Sequence, residues 1–77
     1  MLISREQYDV LFKEQDGKCA ICHRHQRYQR LAVDHCHKTQ VVRGLLCMQC
    51  NRGLGRFFDS PVRLRRAAEY IEESRKL

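Results

Sequence analysis

Four cysteines stand in two Cys-x-x-Cys pairs, Cys19-Ala-Ile-Cys22 and Cys47-Met-Gln-Cys50, with 24 residues between the pairs. The two-residue spacing lets a tight turn aim both sulfurs of a pair at one point. Two such turns make a tetrahedral thiolate site, the arrangement zinc takes, with no position left for water. The expected ion is therefore structural. Between the pairs lies Asp34-His35, and Asn51 directly follows the last cysteine. A carboxylate oxygen on a strand and an amide oxygen on a facing helix could share a hard cation such as Mg2+. An imidazole of ordinary pKa, about 6.5, is mostly neutral at slightly alkaline pH and can take a proton from water. The cation would stabilise charge on a phosphate and on its leaving oxygen. These parts suffice for phosphodiester hydrolysis.

The elements that must position them follow from local pattern. Ser4 caps a helix over Arg5 to Gln15, Gln7 completes a capping box, and Ile3 can staple onto Tyr8. Tyr8, Leu11 and Phe12 share one face of that helix, and Asp16-Gly17 stops it. A polar, basic loop runs from His23 to Arg30. Leu31-Ala-Val33 then leads into Asp34-His35, Lys38-Thr-Gln40 makes a turn, and Val41-Val42-Arg43 returns as a second strand. A short helix opens at Cys47 and runs through Phe57, with Gly53 and Gly55 inside it, which weaken it and would permit close approach of another segment or a ligand. Ser60-Pro61 starts a last helix, Pro61 to Arg75, whose apolar stripe is Leu64, Ala67, Ala68 and Ile71. Strict alternation along the first strand sends Asp34 and His35 to opposite faces, so the strand must end, twist or bulge there if both are to reach one phosphate.

The rest of the composition sets bounds. At 77 residues the chain makes one domain, 1–77, too short for a large core, and a staple is expected. Five cysteines leave one over, Cys36, read as a small buried residue. His23 and His25 stand beside Cys22 and are expected to stay outside the metal shell. The start lacks the apolar core of a signal peptide, and no apolar run spans a bilayer. A reducing, cytoplasmic setting follows, in which paired cysteines mean metal. The formal charge is +6, or about +4 with zinc on four thiolates. Arginine outnumbers lysine eleven to four, which suits bidentate phosphate contacts. Charge thus favours a nucleic-acid partner over a membrane surface.

Three blocks carry a family resemblance: Cys19-Ala-Ile-Cys22, Leu31-Ala-Val-Asp-His-Cys-His37, and Val42-Arg-Gly-Leu-Leu-Cys-Met-Gln-Cys-Asn-Arg-Gly-Leu-Gly55. Together they resemble the phage recombination endonuclease VII family of the HNH, or His-Me finger, nucleases. The resemblance implies a small α+β fold, a zinc-stabilised ββα-metal motif flanked by an N-terminal and a C-terminal helix. It implies a metal-dependent DNA endonuclease with Asp34 and Asn51 as ligands of a catalytic Mg2+ or Mn2+ and His35 as general base. His37 matches a second family histidine that holds the site or contacts phosphate. Two departures stand out. Leu54 occupies the place where the namesake enzyme has an acid, three residues past the asparagine. The long C-terminal region that the namesake uses for dimerisation and junction binding has no match here, so DNA cleavage carries over and junction resolution does not.

Arg43 and Arg52 flank the expected site and are candidates for the scissile phosphate. A monomer with one site would nick, and a homodimer could cut both strands. The competing readings are a non-catalytic zinc module that binds nucleic acid or protein, and a small redox protein using its cysteine pairs. A phage or prophage origin follows from the resemblance.

Overall fold

The computed structural model describes residues 3–27 and 29–73. Five elements follow one another: α1 (Arg5–Glu14), β1 (Ala32–His35), β2 (Val42–Leu46), α2 (Met48–Arg56) and α3 (Pro61–Glu72). This is a small α+β fold with one antiparallel hairpin. Among the described residues no helix is long and apolar enough to cross a membrane.

The capping box forms as expected. Ser4 Oγ accepts from the Gln7 amide at 3.1 Å, and Gln7 Oε1 accepts from the Ser4 amide at 2.8 Å. Helix α1 ends one residue early, with Gln15 as its cap, and the chain then turns through left-handed Asp16 and Gly17. At Gly17 a Cβ would lie 3.0 Å from the Phe12 ring, so glycine is required twice over, by φ and by space.

The hairpin is offset from its expected place. β2 begins at Val42 and continues to Leu46, beyond the expected end at Arg43. Its last three residues, Gly44, Leu45 and Leu46, are all buried, so sheet pairing extends into the run that precedes the second cysteine pair. The turn closes through Cys36 and Val41, whose backbone bond is 2.9 Å, with Gln40 in the left-handed region.

α2 is capped by Cys47, whose sulfur accepts from the Cys50 amide at 3.4 Å. No segment of the described chain approaches Gly53 or Gly55 closely, since a Cβ at either would meet nothing within 4 Å. A second tight glycine is Gly44 in β2, where a Cβ would stand 3.2 Å from Gln15 Oε1.

The core is small: Tyr8, Cys19, Leu31, Leu45, Leu46 and Cys47, with Ile3, Leu11, Val33 and Leu54 packed on it. Tyr8 is anchored at both ends, its ring buried and its hydroxyl donating to the Leu31 carbonyl at 2.7 Å. Fully burying Leu45 is worth about 2–3 kcal/mol. Six buried residues make a thin core for a chain of this length, and two of them are cysteines of the paired set.

Ser60 caps α3 as expected, accepting from the Arg63 amide at 3.2 Å. The helix buries no residue, and of its apolar stripe Ala68 and Ile71 are exposed while Leu64 and Ala67 are half-buried. The expected end at Arg75 lies outside the described residues.

Candidate functional site

The two cysteine pairs meet. The first lies on the turn after α1, and the second caps α2. The sulfurs of Cys19, Cys22, Cys47 and Cys50 all lie within 4.8 Å of one another. Zinc–sulfur bonds of about 2.3 Å in a tetrahedron place sulfurs about 3.8 Å apart. The Cys22–Cys47 sulfur distance is 3.8 Å. His23 and His25 stay outside this cluster, as does Cys36, which is half-buried where a buried residue was expected.

The electrostatics of the cluster suit a cation. Burial opposes the ionised form of Cys19, yet the amides of Cys47, Cys22 and Ile21 outweigh it and bring its pKa down to about 6. Burial, and then the crowding of the other three sulfurs, push Cys50 up to about 12. Four thiolates cannot all ionise in one place without a positive ion among them. The donor set and spacing therefore fit zinc, with Cys19 already poised as thiolate and Cys50 releasing its proton on binding.

Above the cluster, the hairpin bends at the residues of interest. Asp34 pairs with Gly44 and His35 with Val42, so the register shifts by one between them. Arg43 is the extra residue opposite that step, the arrangement of a β-bulge. The irregularity falls at the expected step of the hairpin, but its extra residue is in β2, so Asp34 and His35 remain consecutive in β1.

Arg43 turns back on the strand it faces. Its Nε donates to Asp34 Oδ2 at 2.7 Å, and its Nη2 donates to Asp34 Oδ1 at 3.0 Å and to Asp59 Oδ2 at 3.3 Å. The hydrogen bonds to Asp34 hold the guanidinium pKa above even its ordinary high value. Asp34 is buried, and Arg43 is the partner that satisfies its carboxylate. The two side chains line a hollow of about 230 Å³ together with Ile21 and Leu54. His37 Nε2 lies 3.6 Å from the same Asp59 oxygen, and the rings of His35 and His37 are 5.4 Å apart between centroids.

The fold thus joins Asp34, Arg43, Asp59, His37 and His35 in one chain of contacts. Asn51 sits in the first turn of α2 beside Cys50, its backbone N–H donating to the Cys47 carbonyl at 2.9 Å. Among the described residues no hydrogen bond links the Asn51 side chain to the Asp34 network. Arg52, next on α2, is exposed.

The sequence model of the recombination endonuclease VII family matches residues 1–73 of this chain. The chain belongs to that family. It is also 44% identical over 73 residues to the gene 59 protein of Mycobacterium phage D29, covering 92% of this chain and 44% of that protein. The corresponding protein of Mycobacterium phage L5 is 44% identical over 71 residues, 90% of this chain and 43% of its own length. The chain spans less than half the length of these relatives.

Two residues of this endonuclease VII family member escaped sequence reasoning. Asp59 reaches the site from the turn between α2 and α3, where Phe58 and Asp59 are both left-handed and the Asp59 amide donates to the Leu54 carbonyl at 2.9 Å. No periodicity marks a turn residue, and the only signal was an acid beside a helix start. Gln15 is the other. Its amide donates to the Leu45 carbonyl at 3.0 Å and accepts from the Leu45 amide at 2.9 Å, pairing with β2 as a further strand would. Leu54, which stands where the namesake enzyme carries an acid, packs on the core.

Proposed function

We propose that this chain carries a metal-dependent DNA endonuclease of the HNH, or His-Me finger, type, with a zinc-stabilised ββα-metal centre. The reading is supported by one observation above the rest: in an endonuclease VII family chain, contacts run from Asp34 through Arg43, Asp59 and His37 to His35. The extra residue lies in β2, where it re-aims Arg43, and the contacts Arg43 makes link the buried Asp34 carboxylate through Asp59 to the imidazoles.

Asp34 and Asn51 offer hard oxygen donors, a set that fits Mg2+ or Mn2+. A bound divalent cation supplies positive charge to the phosphate and the leaving oxygen. A ring nitrogen of His35 accepts the proton of the attacking water as the new O–P bond forms. The old P–O bond breaks, and the departing oxygen takes a proton from solvent. Arg43 supplies positive charge to the Asp34 carboxylate in the resting protein, and Asp59 keeps its guanidinium at the site for the phosphate. His37, beside His35, and Arg52, beside Asn51, add phosphate contacts. One such site per monomer nicks duplex DNA, and a homodimer would be needed to cut both strands. The phage origin of the relatives supports action in the cytoplasm of a host cell.

The test is cleavage of supercoiled plasmid with Mg2+ or Mn2+ by wild type and by His35→Ala. Metal-dependent nicking by the wild type and none by a folded, zinc-bound variant is the expected result. Equal cutting by both removes His35 from the chemistry.

A second reading has its own observation. The Asp34 carboxylate is already satisfied by Arg43, as a purely structural pair would be. On that reading the chain is a zinc module that binds nucleic acid or protein without cutting. DNA binding with no hydrolysis in either metal favours it.

A further inference from the structure

Away from the hairpin, the basic loop after the first cysteine pair shelters an open groove of about 420 Å³ between itself and α1. Tyr8 and Phe12 form its aromatic wall, stacked with ring centroids 6.3 Å apart and planes inclined by 19°. Tyr8 is buried, while Phe12 is 45% exposed, so the stack ends in an open ring face or edge. Gly17 lets that ring settle against the groove floor. Arg27 and Arg30 also line it, and the Arg30 guanidinium lies over the Tyr8 ring, 4.7 Å from its centroid.

A second hollow, of about 260 Å³, shares His25, Gln26 and Gln29 with the first and continues it to Arg24. The two make one path along the loop. Among the described residues no carboxylate lines either part. Three arginines, three side-chain amides and one exposed aromatic ring thus share a concave surface, in which Arg24 also reaches Gln49 at 3.3 Å and Arg30 covers the Tyr8 ring. Isolated exposed apolar residues are ordinary, but an exposed phenylalanine in a cation-lined groove has a specific chemical complement.

We propose that this groove binds single-stranded DNA, with an unpaired base against Phe12 and backbone phosphates on Arg24, Arg27 and Arg30. The inference deepens the nuclease reading and rests on it for the identity of the polymer. Duplex DNA keeps its base faces stacked inside and offers the aromatic ring nothing, so the wall selects for an unpaired strand. The arginines supply affinity without regard to sequence, and Gln26 and Gln29 can bond base edges or sugar.

The test uses the full zinc-loaded chain and a fluorescein-labelled oligothymidylate, read by anisotropy without added Mg2+ so that binding is measured apart from cleavage. Two variants are compared with wild type, Phe12→Leu and Arg27→Gln with Arg30→Gln, each checked for helix content and bound zinc. Phe12→Leu is expected to weaken single-strand binding about tenfold and leave duplex binding nearly unchanged. The double arginine variant is expected to lower the slope of log affinity against log salt by about 1.4. Wild-type single-strand affinity in both variants overturns the proposal. Equal losses for single strand and duplex in Phe12→Leu overturn the unpaired-strand assignment. A wild type that binds through the groove but cuts no plasmid leaves this site standing and removes the nuclease reading.

Discussion

Arg43 grips Asp34 through both carboxylate oxygens, from the extra residue of a bulge in the facing strand. The guanidinium therefore stands where a cation on Asp34 would have to be. An arginine and a divalent cation at one carboxylate are competitors, since each supplies the positive charge that a buried carboxylate needs.

Replacing Arg43 separates these roles. Arg43→Gln leaves Asp34 buried without its partner, and stability is expected to fall by about 2 kcal/mol, between the values for exposed and fully buried pairs. The same change frees the carboxylate, so added Mn2+ should raise the melting temperature of Arg43→Gln more than that of wild type. Thermal melts with and without Mn2+ check this, and equal metal effects in the two proteins would count against Asp34 as a metal ligand.

His35→Ala should lower cleavage by about 10²- to 10⁴-fold, the usual worth of a positioned base. Zinc content and the melting temperature should stay near wild type, because His35 is only half-buried and is not among the clustered sulfur ligands. Plasmid nicking measured beside metal analysis decides the point.

Zinc affinity should rise with pH through the neutral range. The Cys50 pKa is raised to about 12, so its proton must leave on binding, and each such proton gives about a tenfold gain per pH unit. The folded arrangement without its ion is a minor state, and the two thiols shift its free energy in opposite senses. The Cys19 pKa lies below its ordinary value of 9.0, so its contribution to stability is complete above pH 9 and is lost as pH falls through about 6. Cys50 works the other way: its contribution is complete below pH 9 and is lost as pH rises towards 12. Chelator competition at several pH values measures the first effect. Flat affinity from pH 6 to 8 would contradict it.

Stripping zinc should unfold the domain outright, since the core that remains is small and Cys19 and Cys47 belong to it. Loss of helical circular dichroism on chelation, recovered by adding zinc, is the expected readout.

Gln15→Ala should cost about 2 kcal/mol, because it removes both bonds to the Leu45 backbone and leaves buried polar groups unpaired. Gly44→Ala should be destabilising through the same contact, its new methyl pressing on the Gln15 oxygen. Denaturant melts of the two single variants and the double variant test the link. Effects that simply add would show that the two residues act separately.

Much of this molecule is written locally. Ser4, Gln7, Ser60 and Pro61 determine helix starts because caps involve residues only three apart. The spacing of Cys19, Cys22, Cys47 and Cys50 determines a metal cluster because a Cys-x-x-Cys turn needs nothing from the rest of the chain to aim its two sulfurs. Asp34 and His35 could be picked out by type and neighbourhood, together with the conflict between their alternation and a common target. The bulge in the facing strand was not legible. A bulge depends on how two strands slide past each other, and that is settled by burying both Leu45 and Leu46 and by fitting Gly44 against Gln15. The same holds for Arg43. Its sequence position marks it as a cation near a phosphate site, but its engagement with Asp34 and with Asp59, 16 residues on, exists only once the α2–α3 turn folds back over the hairpin. Short-range rules determined which residues carry chemistry, and long-range packing decided which of them touch.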